Sequence, residues 1–382
     1  MKRFFYIFLS FFICFVLVLS PACFAIEKEK SFTLDLNAPS CVLMEESSGE
    51  ILYEKNIREK RPCASITKVM TLILTFEAIE EGKLHLDDVL TASAHASSMG
   101  GSDIWLKEGE EMSVDDLIKA TVVMSANDAA VVLAEEVAGS EEAFVSLMNE
   151  KAVSLNMLDT TFKNCNGLDE EGHLTSALDV AIMSRELLKH EKIFDYTSIW
   201  IDYIRNGETQ LVNTNKLIKS YKGITGLKTG TTSQAKSCIT ATAKRDELSL
   251  IAVVLGADNT DLRFADAKTL LNYGFSNYKV VCPDVPVIEN VKVLKGMKKD
   301  VPAKTEGTPK ILLSNNEASD IKSEVKITED LTAPINKGDK IGEISFKSNS
   351  EVLYTLPILA ADSVEEISFK GVFNKMMELL FK

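Results

Sequence analysis

Arg61-Pro62-Cys63-Ala64-Ser65-Ile66-Thr67-Lys68-Val69-Met70-Thr71 opens a dense apolar run that continues through Leu72, Ile73, Leu74, Phe76 and Ile79. Such density predicts a mostly buried helix over 66–81 with Ser65 in its first turn. On a helix, residues three apart share a face, so Lys68 stands beside the Ser65 hydroxyl. Burial disfavours a charged amine, and a neutral amine can accept a serine proton. The helix start also offers backbone N–H groups to a developing oxyanion.

Ser-x-x-Lys alone is weak evidence, because it recurs at Ser233, Ser276, Ser319 and Ser323. Two further strings give it context. Ser113-Val114-Asp115-Asp116 predicts a helix start, and another helix is expected from Asp128 to Glu136. Ser125-Ala126-Asn127 therefore falls in the connection between two apolar helices, where a polar triplet needs a reason. Ser125 can relay a proton, and Asn127 can orient Lys68 and a peptide carbonyl. Lys228-Thr229-Gly230 follows a stretch that reads as a glycine-broken loop, with strands expected at 237–244 and 248–255. Lys228 supplies a cation for a carboxylate, Thr229, Thr231 and Thr232 supply hydroxyls, and Gly230 lets substrate backbone lie against an edge strand.

The surrounding chain sets the architecture. Ser40–Glu46 and Glu50–Glu54 flank Ser47-Ser48-Gly49 and predict a β-hairpin. A loop over 164–173 precedes a helix from Ser176 to Leu188, and a closing helix spans Arg263 to Tyr273. Strands early, helices in the middle and strands late imply a sheet whose first strands pair with its last. From about Val280 the texture changes to short Val/Ile runs separated by Pro, Gly and Asn, which reads as a small all-β domain ending near Ala361. Residues 362–382 place Val364, Ile367, Phe369, Val372, Phe373, Met376, Met377 and Leu380 near helical spacing among charges, giving an amphipathic helix too charged to span a bilayer.

Residues 1–25 have a basic start at Lys2 and Arg3, an apolar run from Phe4 to Leu19, and Cys23 and Ala25 before Ile26. This reads as a cleaved signal peptide, with an uncleaved anchor as the alternative, and so predicts export. The chain of 382 residues carries 42 Lys and Arg against 56 Asp and Glu. Removal of Lys2 and Arg3 leaves 40 − 56 = −16. So acidic a chain is a poor nucleic-acid binder. Beyond residue 25 there are five cysteines without a C-x-x-C pair, and the four histidines are scattered, so neither a metal nor another cofactor is expected.

The three strings in this order, with Gly49–Asn56, Asn166-Gly167-Leu168 and Gly223-Ile224-Thr225-Gly226-Leu227 as flanks, resemble the low-molecular-weight penicillin-binding proteins. More narrowly, they resemble the serine D-alanyl-D-alanine carboxypeptidases of peptidase family S11. The resemblance implies an α+β fold of the β-lactamase/D,D-peptidase type: an antiparallel sheet with helices on both faces over 26–279, an accessory β domain over 280–361 and a membrane-associated helix over 362–382. It implies Ser65 as nucleophile, Lys68 as base, Ser125 and Asn127 as the second motif, and Lys228, Thr229, Gly230 and Thr231 as the substrate strand. The N–H groups of Ser65 and Thr231 would form the oxyanion hole.

The implied partners are the peptidoglycan stem peptide, β-lactams as covalent inhibitors, and the outer face of the cytoplasmic membrane through the C-terminal helix. A helix docked on the β domain is the alternative for that segment. One departure is Thr231, where many family members carry His. Endopeptidase and transpeptidase activities would use the same site. A serine β-lactamase of the commonest type would need a Glu-x-x-Leu-Asn string, which this chain lacks. A non-enzymatic wall-binding or sensing protein would be expected to lose Ser65 or Lys68, and both are present.

Overall fold

A computed structural model describes residues 34–317, 320–348 and 350–380; the expected signal peptide, residues 1–25, lies outside the described residues. Ser40–Glu45 (β1) and Ile51–Lys55 (β2) form the expected antiparallel hairpin, with Gly49 at φ 77° in its turn. Ile224–Thr232 (β3), Lys236–Arg245 (β4) and Leu248–Ala257 (β5) complete a sheet in the order β2-β1-β5-β4-β3. First and last strands thus pair, β1 against β5, as the order of elements predicted. Residues 224–227, expected as a glycine-broken loop, are instead the first half of β3. Ile224 and Leu227 join it to β4, and the register shift between Ile224 and Gly226 absorbs the glycine.

The main helices are Lys68–Glu80 (α1), Val114–Val123 (α2), Asn127–Ala138 (α3), Glu141–Ser154 (α4), Ala177–Leu187 (α5) and Thr260–Asn277 (α6). The Ser113 hydroxyl accepts from Asp116 N and caps α2 as expected. Helix α4 was not anticipated, although Ser140 caps it and Glu141 and Glu142 fill its first turn.

Both faces of the sheet are covered. On one, Gly274 of α6 lies so close to β5 that a Cβ there would stand 2.5 Å from Leu250 Cδ1. On the other, Ser184 of α5 shares a 2.8 Å hydrogen bond with Thr240, the cross-strand partner of Val253. Leu250 and Val253 are three apart on one strand and point to opposite faces. Helix α1 is buried from Lys68 to Phe76 within the core that Val114, Leu117, Leu133 and Phe144 share.

After α6, Tyr278–Val281 pairs with Ile311–Ser314. A five-stranded antiparallel sheet then runs in the order Asn290–Lys292, Asp300–Thr305, Glu351–Ala360, Lys340–Ser348, Lys322–Ile327. Its own core contains Val301, Ile341, Ile344, Phe346, Leu356 and Ile358. The C-terminal helix, Phe369–Leu380 (α7), starts later than the sequence pattern suggested. Val364 is buried in the β domain and bridges to Ile335, so this apolar residue belongs to the sheet core and not to the helix. Among the described residues, no helix is long and apolar enough to cross a membrane.

Candidate active site

Ser65 sits in the single 3-10 turn Ala64–Thr67 that leads into α1, and Lys68 is the first α-helical residue. The Lys68 side chain is fully buried. Its Nζ lies 3.1 Å from Ser65 Oγ, 2.5 Å from Asn127 Oδ1 and 2.7 Å from the Asn166 carbonyl oxygen. Burial lowers its pKa from 10.5 to about 7. A neutral amine has two N–H bonds and one lone pair. The two carbonyl oxygens accept those N–H bonds, which leaves the lone pair for the Ser65 hydroxyl proton.

Asn127 opens α3 instead of lying in the connection, and this helical start fixes its side chain. Its Nδ2 donates to Gly100 O at 2.6 Å, and its backbone N donates to Ser102 O at 2.7 Å. The amide's orientation is therefore set from both ends, with Oδ1 toward Lys68. Ser125 is buried in the left-handed region at φ 65°, and its Oγ has no hydrogen-bond partner among the described residues. A buried hydroxyl without a partner is costly unless something else is to fill its place.

Strand β3 is the edge of the sheet, so alternate backbone groups on its outer side are free for an added strand. It packs its glycine against the nucleophile turn. A Cβ on Gly230 would meet Cys63 O at 2.6 Å and Ser65 N at 2.9 Å, and one on Gly167 would meet Ala64 O at 2.0 Å. These two glycines let β3 and the 164–173 loop close around the Ser65 amide.

Lys228 is buried, and among the described residues its Nζ has one hydrogen bond, to Thr229 O at 3.2 Å. Burial, then the nearby Lys68 and Arg263 charges, hold its pKa well below the usual lysine value. Thr229 Oγ1 donates to Thr214 Oγ1 at 2.7 Å.

Three contributors carry no signal within the motifs. Arg263 Nη1, from α6, donates to Gly230 O at 3.0 Å and to Thr231 Oγ1 at 2.8 Å, bracing the strand from behind. The Asn166 contact with Lys68 uses a backbone oxygen, which any residue type could supply. Behind the turn, Lys163 N donates to His173 Nδ1 at 3.1 Å, so Nε2 carries the proton and donates to Thr67 Oγ1 at 2.8 Å. Burial takes His173 down to about 4, which keeps it neutral.

Two of the competing Ser-x-x-Lys strings have other surroundings. Lys236 pairs with Asp258 at 2.7 Å, and Ser323 and Lys326 lie three apart on one strand, on opposite faces. Among the described residues, Ser65 combines a turn, a buried amine and an edge strand.

Comparison with known proteins decides the family. The profile of the D-alanyl-D-alanine carboxypeptidases matches residues 26–259, and that of the penicillin-binding protein 5 C-terminal domain matches residues 275–366. The chain belongs to this carboxypeptidase family. It is 42% identical over 350 residues to the D-alanyl-D-alanine carboxypeptidase DacF of Bacillus subtilis, covering 90% of each chain. Among solved structures, penicillin binding protein 5 of Haemophilus influenzae superposes with a TM-score of 0.75 at 28% identity, over 87% of this chain and 99% of that one. Penicillin-binding protein D2 of Listeria monocytogenes, solved in an ampicillin-bound form, has a TM-score of 0.59 at 33% identity, over 64% of this chain and 99% of that one. The carboxypeptidase is thus a serine hydrolase of the penicillin-binding type, and its fold is the expected α+β arrangement with an all-β C-terminal domain.

Proposed function

We propose that Ser65 is the nucleophile and Lys68 the base of an acyl-transfer cycle on the D-Ala-D-Ala end of the peptidoglycan stem peptide. The observation that carries this is the buried Lys68 amine, held by two carbonyl oxygens with its third position on Ser65 Oγ. The substrate lies along β3 as an added strand, its terminal carboxylate on Lys228 and Thr229. Ser65 Oγ attacks the carbonyl carbon of the penultimate residue while its proton passes to Lys68. The oxyanion is met by the Ser65 and Thr231 N–H groups. The C–N bond then breaks, and the leaving amine of D-alanine takes the proton through Ser125, whose hydroxyl is unengaged in the free protein. Water, deprotonated by Lys68, attacks the ester and restores Ser65. A β-lactam enters the same sequence and stalls as the acyl-enzyme.

We further propose that the chain is exported and that α7 lies on the outer face of the cytoplasmic membrane. The helix presents exposed Phe369, Phe373, Met376, Leu379 and Leu380, an apolar display suited to a lipid interface. The β domain then stands between that surface and the catalytic domain.

The test of the catalytic assignment is D-alanine release from a diacylated Lys-D-Ala-D-Ala tripeptide, beside Ser65→Ala. Release is expected from the natural protein only, and labelled penicillin is expected to mark Ser65. Equal release by the variant would sink the assignment.

A further inference from the structure

The loop from Gly100 to Leu106 carries a residue that the chemistry at Ser65 does not use. Its carbonyls at Gly100 and Ser102 hold Asn127, as described. Just beyond, the buried Asp128 carboxylate accepts from Ile104 N at 3.1 Å and Leu106 N at 2.9 Å, and both of those side chains are buried. Between them Trp105 is 73% exposed and sits at φ 56°. A bulky residue in the left-handed region is strained, and strain of this kind persists only where the surroundings enforce it. Asp128 enforces it here, pinning both neighbours and turning the indole into solvent. The largest apolar side chain type is thus held outward on a rigid loop bonded to the catalytic wall.

The exposed rim continues from that loop. Glu110 accepts from Arg205 Nε at 2.6 Å, which ties the loop to the hairpin of Ile201–Ile204 and Thr209–Val212. The outward face of this hairpin shows Ile201, Tyr203 and Val212. The hairpin leads directly into Thr214, the partner of Thr229 on β3. The hairpin is thus joined through Thr214 to the substrate strand, as the loop is joined through Asn127 to the nucleophile's wall.

Resting on the carboxypeptidase reading, we propose that Trp105 is a docking platform for a sugar ring of the glycan strand that carries the stem peptide. The indole face stacks on the C–H face of a pyranose. The reach agrees. In a stem pentapeptide four residues separate the scissile bond from the sugar, about 13 Å when extended. Trp105 is three residues, at most about 11 Å, from the Ser102 backbone that touches Asn127, and the indole extends the reach. The local charge agrees too. Exposed Lys107 adjoins exposed Glu108, Glu110 pairs with Arg205 and Asp202 pairs with Lys119, so charge here is largely balanced, which suits a neutral saccharide.

The experiment compares kcat/KM on a disaccharide-pentapeptide with that on the same pentapeptide without sugar, in the full-length protein, Trp105→Ala and Trp105→Phe. The natural protein is expected to favour the glycosylated substrate. Trp105→Ala is expected to lose about tenfold on that substrate, equivalent to about 1.4 kcal/mol, and under about twofold on the free peptide and on penicillin acylation of Ser65. Trp105→Phe is expected to keep most of the preference. Equal losses on both substrates, no loss on either, or no preference in the natural protein would each overturn the proposal. Unchanged penicillin labelling of Ser65 separates its failure from failure of the catalytic reading.

Discussion

Two lysines enter the site from opposite walls, Lys68 from the start of α1 and Lys228 from the edge strand β3, and both are buried without a bonded carboxylate. Their surroundings diverge. Lys68 is saturated by neutral oxygens, so its environment stabilises an amine that can take and return a proton. Lys228 has a single backbone oxygen at 3.2 Å, so its environment is incomplete until an anion arrives. One wall is finished in the free protein and performs chemistry; the other is finished by the substrate and performs recognition.

The largest expected effect breaks the first wall. Lys68→Arg keeps a cation but cannot supply a free amine at neutral pH, so penicillin acylation is expected to fall by about 10³-fold or more, with folding checked by circular dichroism. Retention of near-normal acylation would mean that Lys68 acts only as a charge. Lys228→Ala breaks the second wall and is expected to cost about 10²-fold in kcat/KM on the tripeptide, chiefly through KM. A loss confined to kcat would move Lys228 to the chemical step.

A pH series sharpens the contrast. Lys68 has a pKa near 7, so the neutral base is scarce below that pH. Acylation is expected to rise about tenfold per pH unit up to 7 and level off above it. Lys228 has the opposite sign, because carboxylate binding favours its protonated form, and KM is expected to rise toward high pH. The smallest catalytic effect is expected from deleting residues 369–382, which removes the helix and spares Val364 in the β-domain core: kcat/KM on the tripeptide unchanged within about twofold, while co-sedimentation with anionic vesicles disappears.

How much of this was legible varies by residue. Ser65 and Lys68 could be read because helical spacing places i and i+3 together, and the buried helix behind them could be read from apolar density. The hairpin, the late strands and their pairing followed from order alone. Asn166 was in view as part of a flank, but its contact is made by a carbonyl oxygen, and sequence does not encode which carbonyl points inward. Arg263 stands more than thirty residues from Thr231 and meets it only because α6 folds back behind β3 and β4. Glycines at 223 and 226 suggested a loop, yet cross-strand pairing with β4 outweighed them. Val364 looked like one turn of an amphipathic helix, and the β domain took it as a core residue.

The Cys63 thiol, two positions before the nucleophile, is wholly buried, lies 3.4 Å from Thr67 Oγ1, and is pushed up to about 11 by burial. Cys41, Cys165 and Cys238 are likewise buried with raised values, whereas Cys282 is exposed. Thiol-directed reagents such as maleimides and iodoacetamide should therefore pass over the catalytic turn and mark the junction of the two domains. An electrophile aimed at the nucleophile must be chosen for oxygen, even though a sulfur stands almost next to it in the chain.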